Sequence, residues 1–227
     1  MAKSAKSAEI LIYGDIGPVF WGDEVSAADF ANTLREVGDV SELNVRINSL
    51  GGHVFDGVAI YQQLNVHPAK INVRIDGIAA SIASVIAMAG DHIEIAEAGM
   101  MMIHDAATMV GGNAEEMRRV ANLLDKTSGQ IADVYAAKSG KTATEIRDAM
   151  RAETWLTGKE AKDFGLVDAV IENKQAVDNI AALKMDAKRY NFTNPPERLV
   201  ARNTIAHLVA QQNVAITLSR LAASGKR

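Results

Sequence analysis

Ile71-Asn72-Val73-Arg74-Ile75-Asp76-Gly77-Ile78-Ala79-Ala80-Ser81-Ile82-Ala83-Ser84-Val85-Ile86-Ala87-Met88-Ala89-Gly90-Asp91 is the stretch on which the reading of this chain turns. Ile71 to Ile75 is an apolar, β-branched run that predicts a buried strand. Asp76-Gly77 reads as a turn, and the small residues beyond it predict a helix that runs to Gly90. Ser81 then falls where a strand hands over to a helix. Amide N–H groups at a helix start have no intrahelical partner, and the macrodipole is positive there. A nucleophile at that place would find stabilisation for an oxyanion already built in. The small neighbours Ala79, Ala80 and Ala83 would let a substrate backbone approach closely. The same density of Ala, Ser and Gly also suits a helix that merely packs tightly on a sheet, and this stretch alone favours that simpler reading.

The rest of the chain sets bounds. Its 227 residues suit one domain with an appendage, and 48% are hydrophobic, enough for a full core. A net charge of −4 without a dominating basic block argues against a nucleic-acid surface. With no cysteine there is neither a disulfide framework nor a Cys-based metal site, which fits a reducing cytoplasm. Met1 to Ala8 is short, polar and lysine-bearing, unlike a signal peptide. The longest apolar stretch, Ile78 to Ala89, is too short to span a bilayer. No membrane or cofactor is expected.

Outward from the central stretch, strands and helices alternate. Glu9–Tyr13 is a first strand, followed by a Gly/Pro/Asp loop from Gly14 to Gly22. Ser26 is an N-cap for a helix bearing Phe30, Leu34 and Val37. Leu43–Ile47 is a second strand, broken by Asn48-Ser49-Leu50-Gly51-Gly52. Val54–Val66 has helical spacing, and Pro68 follows it. This order predicts a largely parallel sheet with right-handed crossovers. Beyond the central helix, Ile93–Ala96 and Met100–Ile103 are short strands, the second leading directly into His104. Ala114–Ser139 is a long amphipathic helix with Met117, Val120, Ala121, Leu124, Ile131, Val134 and Tyr135 on one side and a charged, solvated face elsewhere. Thr142 with Glu145, and Thr157 with Glu160, are capping boxes. Leu166–Ile171 is a closing strand. Lys184–Pro196 reads as a linker, and Glu197–Ala223 is either a tail without fixed structure or a helical docking segment.

Several residues carry candidate chemistry. Gly51-Gly52 is either a tight turn or a loop whose N–H groups face a substrate. His104 at a strand end is either a core histidine or part of a site, since sites gather at strand ends in α/β folds. His53 follows the glycine turn and could reach a substrate, whereas His67, His92 and His207 are expected on the surface. No histidine pair has metal-site spacing on a helix face.

Taken together, the segments Asn48-Ser49-Leu50-Gly51-Gly52, Gly77-Ile78-Ala79-Ala80-Ser81, Met101-Met102-Ile103-His104 and Trp155-Leu156-Thr157…Gly165-Leu166-Val167-Asp168 resemble the Clp-type serine peptidases, the ClpP family, in order and spacing over roughly Glu9 to Ile171. The resemblance implies a crotonase-like α/β spiral of β-β-α units with the Ala114–Ser139 helix as a projecting handle. It implies a short arm over residues 1–8, a peptidase domain over 9–172 with its handle at about 106–140, and a linker and tail over 173–227. It makes Ser81 the nucleophile, His104 the general base, and the Gly52 and Ile82 N–H groups the oxyanion donors. The family's triad acid falls on Glu153, where Asp is usual; Asp148 and Asp168 are alternatives. Leu50 stands where the family has proline. The segment before the first strand is much shorter than the family's gating N-terminus, which argues against docking of a Clp-type ATPase. Met100-Met101-Met102-Ile103-His104 and Ala152-Glu153-Thr154-Trp155-Leu156 are similar to the phage and prophage branch, whose members resemble head-maturation proteases acting on scaffold or capsid protein.

The resemblance therefore implies a serine endopeptidase for unfolded or scaffold-type polypeptides. It would work in a homo-oligomeric chamber of rings stacked through the handle, in the host cytoplasm or a phage prohead. Three other readings share parts of this pattern. A crotonase-type acyl-CoA hydratase or isomerase shares the fold but needs no nucleophilic serine. A signal-peptide-peptidase-like Ser–Lys enzyme shares the Ala-Ala-Ser segment but has no use for His104. A catalytically inactive shell subunit needs neither.

Overall fold

Alternating apolar residues build the sheet on which everything else rests. The computed structural model describes residues 7–18, 24–172 and 192–196. The chain divides into two units, Met1–Leu183 and Lys184–Arg227, and the second is described only at 192–196, which carry no helix or strand. The expectations for residues 1–6, for most of the linker and tail, and for His207 lie outside the described residues.

In chain order the elements are β1 (Ser7–Tyr13), α1 (Ala27–Val37), β2 (Glu42–Ser49), α2 (Val54–Asn65), β3 (Lys70–Ala80), α3 (Ile82–Ala87), β4 (His92–Ala96), β5 (Met100–Ile103), α4 (Ala114–Ser139), α5 (Ala143–Arg151), β6 (Thr154–Thr157), α6 (Gly158–Phe164) and β7 (Ala169–Ile171). Among the described residues the strands join into one sheet in the order β1-β2-β3-β4-β7, with β5 on the end of β3 and β6 on β5. All pairings are parallel except β5 with β6. Ile10, Val45, Val73 and Ile93 stand side by side across four strands and are buried. One residue further along each strand, Leu11, Arg46, Arg74 and Glu94 form a row on the opposite face. A period of two thus sorts core from surface.

The central stretch differs from its sequence reading in one instructive way. Asp76-Gly77 is not a turn: β3 runs through it to Ala80, and α3 starts only at Ile82. Asp76 is fully buried. Its carboxylate accepts hydrogen bonds from Arg46 Nε (2.7 Å), Arg74 Nε (3.1 Å) and Tyr13 Oη (2.8 Å). A turn-forming residue is held as a strand residue by Arg74 of β3 itself together with Arg46 of β2 and Tyr13 of β1, partners on other strands that local propensity cannot register. The register slips between Ile47/Ile75 and Ser49/Ala79, so β3 holds a bulge there. Before the bulge β3 pairs with β4; after it, Ile78–Ala80 pairs with Met100–Met102 of β5. The change of partner brings the ends of β3 and β5 together, and with them Ser81 and His104.

Smaller corrections follow the same logic. The 1–8 arm loses Ser7 and Ala8 to β1, which pairs with β2 from Ser7 onward. The closing strand shrinks to β7, and Asp168 just before it joins the chain to β4: its carboxylate accepts from Ile93 N (2.7 Å) and its N–H donates to Ile93 O (2.8 Å). The helix caps stand as the sequence predicts: Ser26 accepts from Asp29 N, and the boxes at Thr142/Glu145 and Thr157/Glu160 are both closed. The long helix α4 spans Ala114–Ser139, opened by a further capping box at Asn113/Glu116 and stopped by left-handed Gly140. Among the described residues no helix is long and apolar enough to cross a membrane.

Candidate active site

Ser81 sits between the last residue of β3 and the first of α3, at φ 54°, ψ −131°. That is a left-handed backbone, costly for a residue with a Cβ. Its N–H still donates to Met102 O of β5 (3.0 Å), continuing the ladder, and its carbonyl accepts from Ser84 N (3.0 Å). The turn is sharp because both constraints hold at once, and it throws the Ser81 side chain clear of strand and helix.

β5 ends at Ile103, so His104 leaves the sheet beside Ser81. The hydrogen bond between Ser81 Oγ and His104 Nε2 is 2.7 Å long. Burial pushes the imidazole below its ordinary pKa of 6.5, while the Glu153 and Asp105 carboxylates act in the opposite sense. A neutral ring with Nε2 facing a hydroxyl is a proton acceptor in place.

Glu153 lies between α5 and β6, 8% exposed, and its carboxylate accepts from Trp155 Nε1 (3.1 Å). Its φ is 50°; among the described residues Ser81 and Glu153 are the two non-glycine residues with positive φ. Glu153 is thus brought close enough to His104 to act on its titration, whereas the two alternative carboxylates are not. Asp148 is exposed and bonds Arg151 (3.1 Å). Asp168 faces His92 (3.6 Å) and Lys138 (3.6 Å).

The glycine turn closes the third side. A Cβ on Gly51, at φ 100°, would lie 2.8 Å from Ala80 O and from Ser81 Cβ, and 3.2 Å from Ile82 N. Only a residue without a side chain lets this turn lie against Ser81. Gly52 is held by a bridge to Ile16, in which Ile16 N donates to Gly51 O (2.8 Å) and His53 N to Ile16 O (2.6 Å). The Gly52 N–H is not a donor in that bridge, and the Ile82 N–H, first in α3, has no intrahelical acceptor. His53 lies at the start of α2, where its Nδ1 meets Asp56 Oδ2 (2.5 Å). Leu50, in the place of the family's proline, is buried.

A small pocket opens beside the Ser81–His104 pair, walled by Val54, Val85, Ile131 and Tyr135. Five residues that support this centre were given no such role by the sequence. Trp155 holds Glu153. Arg147 of α5 bonds Asp105 (2.5 Å), next to His104, and reaches Asp125 of α4 (3.6 Å). Ser128 of α4 accepts from Ala106 N (3.0 Å). Ser84 and Tyr135 bond each other at 2.7 Å. The bonds of Arg147, Ser128 and Ser84 reach across 42, 22 and 51 residues of chain, and no local pattern announces them, whereas Trp155 and Glu153 are two residues apart. Among the described residues no cluster of His, Cys, Asp and Glu could hold a metal ion.

Comparison with known proteins agrees with this architecture. The Clp protease family model matches residues 23–174. The chain is 30% identical over 176 residues to the ATP-dependent Clp protease proteolytic subunit of Ligilactobacillus salivarius, covering 76% of this chain and 87% of the relative. It is 33% identical over 130 residues to proteolytic subunit 3 of Rhodococcus jostii, covering 56% of this chain and 64% of that relative. Among solved structures, a ClpP1 mutant from Listeria monocytogenes superposes with a TM-score of 0.63 at 25% identity, over 74% of this chain and 94% of the other. The fold is therefore the ClpP-like α/β fold that the resemblance implies, and the chain belongs to the Clp protease family.

Proposed function

We propose that this protein is a serine endopeptidase in which Ser81, His104 and Glu153 form the triad. The observation that carries the reading is the 2.7 Å Ser81 Oγ–His104 Nε2 bond, made by a serine held in a left-handed turn at the mouth of an apolar pocket. In this reading Ser81 Oγ attacks the scissile carbonyl and its proton passes to His104 Nε2. The tetrahedral oxyanion is met by the Gly52 and Ile82 N–H groups. His104 then protonates the departing amine, and water hydrolyses the acyl-enzyme by the same steps in reverse. Glu153 orients the ring from the side of Nδ1 and stabilises the imidazolium. The lowered pKa of His104 supports a base that is neutral and ready at neutral pH.

The apolar residues left in water support a homo-oligomer. Met109 is 91% exposed, Met117 42% and Leu123 52%, all on or leading into the first half of α4. A face of this kind is normally covered, and for identical chains a symmetric particle covers it. We assign to this particle a chamber, built through the handle, that admits unfolded or scaffold-type chains. The finer assignment is to the phage and prophage head-maturation branch, supported by Met100–His104 and Ala152–Leu156. The relatives are named as subunits of ATP-dependent proteases; for this chain we propose hydrolysis of loose chains without an ATPase.

The test is fluorophosphonate labelling with identification of the modified residue, together with hydrolysis of unfolded casein without nucleotide. Labelling at Ser81, and loss of about a million-fold in turnover in Ser81→Ala, are expected. A hydratase or an inactive shell subunit would leave Ser81 unlabelled, and cleavage by Ser81→Ala at the wild-type rate would overturn the assignment.

A further inference from the structure

Beneath the nucleophile lies a pair of hydroxyls that the triad does not use. Ser84 is completely buried, one turn into α3. Its Oγ is 2.6 Å from Ser81 O, 2.9 Å from Met102 O and 2.7 Å from the Tyr135 hydroxyl. Tyr135 belongs to α4, is almost wholly buried, and forms part of the pocket wall. Burial pushes its phenol pKa well up, so it stays protonated.

Proton counting fixes the direction of these bonds. A serine hydroxyl has one proton, and a carbonyl oxygen can only accept. The Ser84 proton must therefore go to Ser81 O or Met102 O. Tyr135 then has to be the donor to Ser84 Oγ, since otherwise two buried hydroxyl oxygens would face each other with no proton between them. The chain of donation runs from Tyr135 of α4 to Ser84, whose single proton faces the carbonyls of Ser81 and Met102.

Those two carbonyls belong to the segments that carry the triad. Ser81 O is the carbonyl turned inward by the left-handed φ of the nucleophile. Met102 O already accepts the Ser81 N–H and lies two residues before His104. We propose that Ser84 and Tyr135 are a positioning pair: they hold the strained Ser81 turn against the end of β5, and so fix the Ser81–His104 distance from the handle helix. The inference rests on the peptidase reading for its kinetic consequences, but not for its geometric one.

The two can be tested apart. Ser84→Ala, Tyr135→Phe and the double variant are prepared in the full chain. For each, kcat and KM on a fluorogenic peptide, the rate of fluorophosphonate labelling, Tm and a crystal structure are measured. Ser84→Ala strands the Tyr135 hydroxyl, so Tm should fall; the double variant removes both groups, so Tm should recover. Turnover and labelling should fall about tenfold to a hundredfold in Ser84→Ala, the size expected of a misplaced nucleophile. They should stay low in the double variant, with KM little changed. A merely structural pair predicts instead that activity returns with Tm, and that result overturns the proposal. So does a Ser84→Ala crystal structure in which Ser81 keeps its left-handed φ and its bond to His104. If Ser84→Ala does not fold, Tyr135→Phe, which keeps the ring and loses the donor, answers the same question through the same crystal and labelling measurements. If the wild type is not labelled at Ser81, the peptidase reading fails, and the crystallographic comparison still decides the positioning role.

Discussion

The two halves of α4 share one helical period and have different surroundings. From Thr127 to Tyr135 the helix is packed into the protein's own core: Ile131 and Tyr135 line the pocket, Ser128 holds the chain after His104, and Tyr135 reaches Ser84. From Ala114 to Lys126 no position is buried, and Met117 and Leu123 present apolar side chains to water. A hydrophobic period reports which residues share a face; it does not report what covers that face. Ile131 and Leu124 share the apolar side of the helix, yet Ile131 is core and Leu124 is only half-buried. One helix therefore has two environments: its second half packs behind Ser81 and His104, and its first half leaves apolar side chains in water.

Several substitutions would break or sharpen this division. The largest effect belongs to the proposed triad, behind which the buried half packs. Glu153→Gln should cost about ten-thousand-fold in turnover, with Glu153→Asp keeping part of the activity and neither changing particle mass. Kinetics with light scattering would check it, and near-wild-type turnover in Glu153→Gln would take the acid role away from Glu153.

Charge placed on either half of α4 comes next. Leu123→Asp should dissociate the particle while the protomer keeps its Tm. Ile131→Asp should instead lower Tm sharply, because an unpaired carboxylate would be buried beside the pocket. Scattering and thermal melts distinguish the two. Identical behaviour of both variants would abolish the contrast, and a fully active wild-type monomer would remove the role of the exposed half.

A milder effect is expected where the two halves meet. Arg147 ties Asp105, next to His104, to Asp125 at the end of the exposed half. Arg147→Ala should reduce kcat about tenfold by loosening the segment after His104, the lower end of what misplacement costs. Unchanged kcat would show that Ser128 holds this segment alone.

The smallest effect concerns pH. His104 must be neutral to accept the Ser81 proton, and burial holds its pKa below 6.5. The acid limb of the rate profile should lie below 6.5 and the rate should be flat through neutrality. The stability term has the same sense: an unfolded imidazole binds more protons than this folded one, so its contribution is intact above 6.5 and is lost as the pH falls. Glu153 raises this pKa, so Glu153→Gln should move the acid limb still lower. A limb above 6.5 in the wild type would contradict the dominance of burial.

Much of this protein is legible from its residues in order. The alternation in β1, β2 and β4, the bounds of α4, and the caps at Ser26, Thr142 and Thr157 follow from local periodicity and hydrogen-bonding chemistry, which act over a few residues. The candidate triad could be named as well, because four short segments stand at the spacing of a known family. What only the tertiary structure decided is everything that depends on distant partners. Asp76-Gly77 has the composition of a turn and becomes strand because Arg46, Arg74 and Tyr13 surround its carboxylate. Glu153 is set apart from Asp148 and Asp168 by where α5 and β6 place it, not by its neighbours in the chain. Ser84 looks like a small helix residue and is instead the contact between Ser81, Met102 and Tyr135, 51 residues further on. Local sequence specifies which conformations a segment prefers; the energy of a buried polar group is set by the atoms that reach it, and those arrive from elsewhere in the chain.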